Sequence, residues 1–359
     1  SRSQITRLVA RWESNRLAPV PLAKRYAAPV APFPRKYTGA DVELLVAMVI
    51  SLFVIGGAIS LLIASKRSYT ESERYARMGE NGRFALQILS MDLRHAGFFG
   101  EAAPPGIEAD AGLDDVTDDC TGEAAVYDVE NFLFVARADA DGEAIGCIDD
   151  AVPDSDVVVI KSVRPRPLSD GERDDPGDDT GTIDTPESLG GTNTYVMANA
   201  INGVLFDGAD TAPSIGIGGD VPLGNAWEYR YQAYYIRDGD VPQLSRKIIR
   251  WDGAGMAVVT EDVVDGIENL RVMIGTDSND DGEVDRYRDS EDADIAWDRV
   301  ESMEIHLLVR SLDRLPGQED ERTYNLGNEA LEPGGPFQRT VVSGVVSVRN
   351  AMLLIRGNI

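Results

Sequence analysis

The chain is poor in the residues that most chemistry needs. It has 359 residues but only 2 cysteines and 2 histidines. So few cysteines exclude a disulfide-framework miniprotein and a four-cysteine zinc site. His95 and His306 leave little from which to build a histidine-based metal or catalytic centre. Basic residues are scarce too: 34 Lys and Arg face 61 Asp and Glu, for a net charge of -27. Such a surface repels phosphate, which excludes a general nucleic-acid binder. There is no Walker loop and no G-x-S-x-G. Gly216-Ile217-Gly218-Gly219 lacks the helix that a phosphate cradle requires. Many carboxylates could pair for acid–base work, but no one pair stands out. The sequence therefore predicts no enzyme. Apolar content is ample: at 43% hydrophobic the chain can bury a core, and wholesale disorder is excluded.

The charge is unevenly spread. Residues 1–38 hold eight basic side chains (Arg2, Arg7, Arg11, Arg16, Lys24, Arg25, Arg35 and Lys36) and a single acid, Glu13. From Leu44 to Ala64 come 21 residues with no charge, 13 of them Leu, Ile, Val or Phe. About 20 apolar residues span a bilayer. Their transfer favours insertion by roughly 4–8 kcal/mol. A buried core helix is the competing reading, but few soluble helices stay apolar on every face for this length. The basic leader is expected to stay cytoplasmic, with Lys66 and Arg67 opposing it weakly. The acidic bulk then lies beyond the membrane, where Cys120 and Cys147 meet an oxidising compartment. Their polar, loop-like surroundings favour a disulfide over two buried thiols. The run is too long for a secretory signal core, and no A-x-A cleavage pattern follows it.

After Ala64 the sequence remains helix-compatible. Met78, Leu86, Leu89 and Leu93 recur at helical spacing, and only Gly79 and Gly82 weaken the pattern. Gly97, just after His95, reads as a stop. One helix is expected from about Asp41 to His95, roughly 80 Å long, apolar all round at first and then amphipathic.

Thr38-Gly39-Ala40-Asp41-Val42-Glu43-Leu44, a Gly and then an acid entering an apolar helix behind a basic leader, resembles the class III signal of type IV pilins. Ser68-Tyr69, Glu80-Asn81-Gly82-Arg83-Phe84-Ala85-Leu86, Asp92-Leu93-Arg94 and Ala96-Gly97-Phe98 resemble the PilW family of minor pilins. Val264-Asp265-Gly266-Ile267-Glu268-Asn269-Leu270, Ile305-His306-Leu307-Leu308-Val309-Arg310-Ser311 and Val348-Arg349-Asn350 fit the same family. The resemblance covers both ends of the mature chain, and residues 101–226 match only loosely. It implies cleavage by a prepilin peptidase between Gly39 and Ala40, or one residue earlier, with methylation of the new N-terminus. Cutting after Gly39 makes Glu43 the fourth mature residue, whereas the family pattern has Glu at the fifth. The resemblance also implies that Glu43 pairs with the freed amine of a neighbouring subunit. Without it, Glu43 reads equally as an acid at a helix start, favoured by the macrodipole.

Beyond Gly97 the pattern turns to strands, expected at Asn131–Arg137, Asp156–Val163, Trp227–Arg237, Leu244–Trp251, Leu270–Gly275, Glu301–Arg310 and Thr340–Val348. The expected class is α+β: a type IV pilin-like fold with a long N-terminal helix packed on an antiparallel sheet headgroup. Its parts are a leader at 1–39, the helix at 40–96 with its span at 44–64, and a periplasmic β-rich headgroup at 97–359. Residues 170–187 are acid-rich, with Pro176 and Pro186, and read as an exposed loop. Asp277, Asn279, Asp281, Glu283 (by its carbonyl) and Asp285 are spaced as in a calcium loop, with Gly282 at the turn. The competing reading is an acidic turn between strands. No other cofactor is expected.

The resemblance implies a minor pilin of the inner membrane that joins other minor pilins and the major pilin. It would help to prime pilus growth, serve adhesion and twitching, and support a large adhesin at the tip. Gly56 and Gly57 would let its membrane helix approach others closely. Two readings compete. One is a pseudopilin of type II secretion or DNA uptake. The other is a single-span anchored receptor or hydrolase.

Overall fold

A computed structural model of the chain describes residues 39–168, 189–279, 281–292, 295–315, 317 and 319–348. The basic leader, the acidic stretch 170–187, Asp280 and Arg349-Asn350 lie outside the described residues. The chain divides into two compact units, Ser1–Lys66 and Arg67–Ile359.

One helix, α1 (Gly39–Leu93), contributes residues to both units. In the first unit its apolar side chains are exposed on every face, Leu52, Phe53 and Leu61 among them. It is the single helix among the described residues long and apolar enough to cross a membrane. Ser51 and Ser60 donate to the Ala47 and Gly56 carbonyls, at 2.7 and 2.9 Å, so both hydroxyls of the run are satisfied within the helix.

In the second unit α1 is one-sided. Met78, Gly82, Ala85, Leu89, Asp92 and Leu93 are buried, three or four residues apart except at the end. The helix stops at Leu93, short of the expected His95. The chain then turns, and Gly97 takes φ +73°. Its N–H donates to the Lys161 carbonyl at 3.1 Å, and a Cβ there would lie 2.7 Å from the Phe132 ring. Glycine is what that position admits.

Eight strands form the larger sheet: β1 (Ile107–Ala109), β2 (Leu133–Arg137), β3 (Asp156–Val163), β4 (Thr194–Ala198), β5 (Gly203–Asp207), β6 (Asn225–Arg237), β7 (Gln243–Trp251) and β8 (Met256–Asp265). Its path runs β1-β5-β4-β6-β3-β2, with β7 pairing β6 and β8. The 13-residue β6 serves three neighbours. It pairs β4 over residues 225–228, β3 over 229–234 and β7 over 232–237. A second sheet runs β10 (Arg286–Arg288), β9 (Ile267–Thr276), β11 (Val300–Arg310), β14 (Arg339–Ser347). β12 (Tyr324–Leu326) and β13 (Glu329–Leu331) form a small hairpin. Every ladder is antiparallel except β1 with β5.

This is an α+β arrangement. All seven expected strands are present, with ends moved by a few residues. Among the described residues the strands of this mostly antiparallel headgroup fall into three sheets, and β1, β4, β5, β8, β10, β12 and β13 add to the expected set. β8 lacks a readable pattern because Glu261, Asp262 and Asp265 interrupt its apolar alternation. Helix residues Met78, Ala85, Leu89 and Leu93 share one core with Leu133 and Val135 of β2, Val158 of β3, Tyr234 of β6, Leu270 and Val272 of β9, and Ile305 and Leu307 of β11. The helix thus touches both large sheets.

Candidate functional site

The sequence-predicted assembly residues lie in the first unit. α1 begins at Gly39, so Gly39 and Ala40 occupy its first turn, with Asp41 beside them. Glu43 follows, exposed. Gly56 and Gly57 have open space where a Cβ would stand, so the helix backbone is bare there.

The residues that carry the family resemblance meet in the second unit, where they dock the helix. Asn81 Nδ2 donates to the Asp265 carbonyl at 3.0 Å, joining the Glu80–Leu86 motif to Val264-Asp265-Gly266. At Gly82 an added Cβ would stand 2.7 Å from Val342 Cγ2 and 2.8 Å from Val309 Cγ2. The glycine that weakens the helix as a sequence is therefore what lets it reach β11 and β14. Gly266, at φ +79°, accepts the Arg310 N–H at its carbonyl, 2.8 Å away.

Asp92 closes the docking. It is 2% exposed, and the Tyr234 hydroxyl donates to it at 2.5 Å. The Arg230 and Arg246 guanidinium groups lie 3.6 and 4.0 Å away, and Arg246 also donates to the Tyr234 oxygen at 3.1 Å. Burial, then the Asp92 charge, push the Tyr234 phenol well above its ordinary range. A buried carboxylate needs such partners. Asp92 was visible in the sequence, but its partners on β6 and β7 were not.

Two further charge clusters tie the sheets together. Asp156 is buried on β3. It accepts from Arg137 Nε at 3.2 Å, Ser290 at 2.6 Å and the Val272 N–H at 2.8 Å, and Arg271 lies 3.4 Å away. Burial raises its carboxyl, against those partners. On the second sheet Arg339 donates to Glu268 and, at 3.2 Å, to Asp320. Burial pushes the Asp320 carboxyl up, but bonds from Arg322, Tyr324 and Arg339 outweigh it and hold the group well below the usual range.

Cys120 and Cys147 form a disulfide, with Cα atoms 4.7 Å apart. Tyr231 donates its hydroxyl to Cys120 Sγ at 3.1 Å. Near them Lys161 is fully buried on β3, and its Nζ donates to the Glu123 and Asp128 carbonyls at 2.7 and 2.6 Å. Burial lowers its pKa to about 8.

The predicted calcium ligands lie between β9 and β10. Asp277 accepts the Asn279 and Gly282 N–H groups at 3.1 and 2.6 Å, Asn279 the Asp281 N–H at 2.9 Å, and Asp281 the Glu283 N–H at 2.8 Å. Asp285 accepts from the Ser278 hydroxyl and N–H, which hold its carboxyl below the usual range. The donor set is all oxygen, as a hard cation requires. Yet its oxygens accept the loop's own amides, and no metal-holding group of three His, Cys, Asp or Glu side chains occurs among the described residues. Asp277, Asn279, Asp281, Glu283 and Asp285 thus lie on one turn between two strands, with Asp280 outside the described residues. The two histidines serve locally. His95 Nδ1 lies 2.8 Å from the Met91 carbonyl at the helix end, and His306 is buried on β11, its pKa lowered by that burial.

Residues 233–350 match the family model described as Type IV Pilus-assembly protein W, PilW. That match supports the PilW family. It covers about a third of the chain, from the second half of β6 through β14. No curated protein and no solved structure matches. The PilW region contains Asp265, Gly266, Val309 and Val342, the sheet side of the helix docking. The family implies a role in type IV pilus assembly, among other assembly components. The apolar part of α1 is compatible with single-pass membrane anchoring.

Proposed function

We propose that this PilW-family chain is a minor pilin that helps to initiate the type IV pilus and remains with other minor pilins at its tip. The observation that carries the reading is the PilW match, which falls on the sheets that receive α1. In this reading the first unit anchors the chain in the inner membrane, with the second in the periplasm. A prepilin peptidase cuts beside Gly39, and the new amine meets a Glu43 of a neighbouring subunit. The apolar half of α1 then leaves lipid for a bundle of similar helices, packing at Gly56 and Gly57. The role is one of binding, with no covalent change to a substrate.

Mass spectrometry of the chain co-expressed with a prepilin peptidase tests this. A mature N-terminus at Ala40 or Gly39 and loss of pili on deletion are expected. An intact leader, with pilus number unchanged by the deletion, would overturn the reading.

A further inference from the structure

β14 ends the second sheet. It pairs with β11 along its whole length, from Arg310↔Arg339 to Ser302↔Ser347, without a bulge. Among the described residues its other edge has no strand partner. Proteins usually blunt such edges with charge, proline or shortness. The opposite edge, β10, is three residues long and carries Arg286 and Arg288. The outer strand β8 carries Glu261, Asp262 and Asp265. β14 is nine residues long, and its one charge, Arg339 at the start, is buried and donates to Glu268 and Asp320; from Thr340 to Ser347 it has no charged residue and no proline, in a chain that is 26% charged.

The strand is also held firmly. Val346 and Val348 are buried in the helix core, and Val341 packs with the Leu308, Tyr324 and Leu326 cluster. At Gly344 an added Cβ would stand 2.9 Å from Leu86 of α1. Val345 is 60% exposed. The edge is thus preformed, and a strand joining it orders only itself.

We propose that the free edge of β14 receives an extended, uncharged strand from another pilus-assembly component. This rests on the pilus reading above. An edge recognises backbone N–H and C=O groups first, and side chains only at alternate positions. Opposite Val342, Gly344 and Val346 the incoming strand must be small or β-branched. A charge there would lie against Leu86 and the core without a partner. A second copy of this chain fits less well, because two molecules at -27 repel and the edge offers no compensating charge.

The test uses the full chain in cells that make the pilus. A benzophenone amino acid replaces Ser347, or Ile217 as an exposed control, and crosslinked peptides are sequenced. The Ser347 probe is expected to capture an uncharged segment of another pilus-assembly subunit. Adding Val345→Lys should cut that yield about tenfold while leaving thermal unfolding unchanged. Capture of a second copy or of this chain's own residues 349–359 overturns the proposal. So does a yield no higher than at Ile217, or one indifferent to the lysine. If deletion of the chain removes pili but the Ser347 probe behaves in one of these ways, docking fails and the pilus reading survives. If deletion leaves pilus number unchanged, the pilus reading itself has failed.

Discussion

At the scale of residues, the two helix glycines have opposite meanings. Gly79 has open space around its missing Cβ, whereas Gly82 stands against two valine methyls. Gly79→Ala should stabilise the fold by up to about 1 kcal/mol through helix propensity. Gly82→Ala gains the same propensity but overpacks the interface, and a net loss of about 1–2 kcal/mol is expected. Urea unfolding of the pair checks both signs. Lys161 predicts a pH response. Its pKa falls to about 8 in the fold, against 10.5 when exposed. Between those values the unfolded chain holds a proton that the folded chain has shed, so stability should rise with pH from about 8. The neutral amine keeps two N–H groups for its two carbonyls. Burial raises the phenols of Tyr127, Tyr229, Tyr231, Tyr234, Tyr235 and Tyr324, so the fold keeps their protons where the unfolded chain loses them. Stability should therefore fall again above pH about 10. Denaturant midpoints from pH 7 to 11 trace the curve, and Lys161→Met should flatten its rising limb.

At the scale of elements, periodicity explains what was legible. α1 could be read because an uncharged run and then a 3.6-residue spacing leave few alternatives. Strands such as β3 and β11 could be read because their apolar residues are dense. β8 could not, since acids interrupt it, nor could β4 and β5, which sit where the chain has no strong pattern. The meeting of Asn81 with Asp265 was beyond any local signal, because it joins residues 184 apart. The disulfide is an element-scale constraint of the same kind, closing a sequence separation of 27. Replacing both cysteines by serine should cost about 2–4 kcal/mol, measured by denaturant unfolding against the oxidised chain. Reduction by dithiothreitol should produce the same loss.

At the scale of the whole molecule, the division of labour follows charge and polarity. Within the first unit the run Leu44–Ala64 carries no charge and exposes its apolar side chains. The second buries its helix face in two sheets and keeps Asp92, Asp156, Asp277 and Asp320 among its buried groups. Gly57→Leu adds bulk where an added Cβ would meet nothing within 4 Å. Membrane insertion should persist and the second unit should unfold as before, while incorporation into pili falls severalfold. Counting pili and fractionating membranes from the mutant separate the two effects.

Under the proposed function the chain would be a fibre subunit working under tension, and there the Cys120–Cys147 bond acquires a second meaning. It changes how far the chain can lengthen, beyond how hard it is to unfold. Residues 120–147 would stretch to about 90 Å if freed, but the bond pins their ends. A molecule pulled open at both ends therefore yields that much less contour. When the load is released, the segment would return without slack, its two ends still side by side.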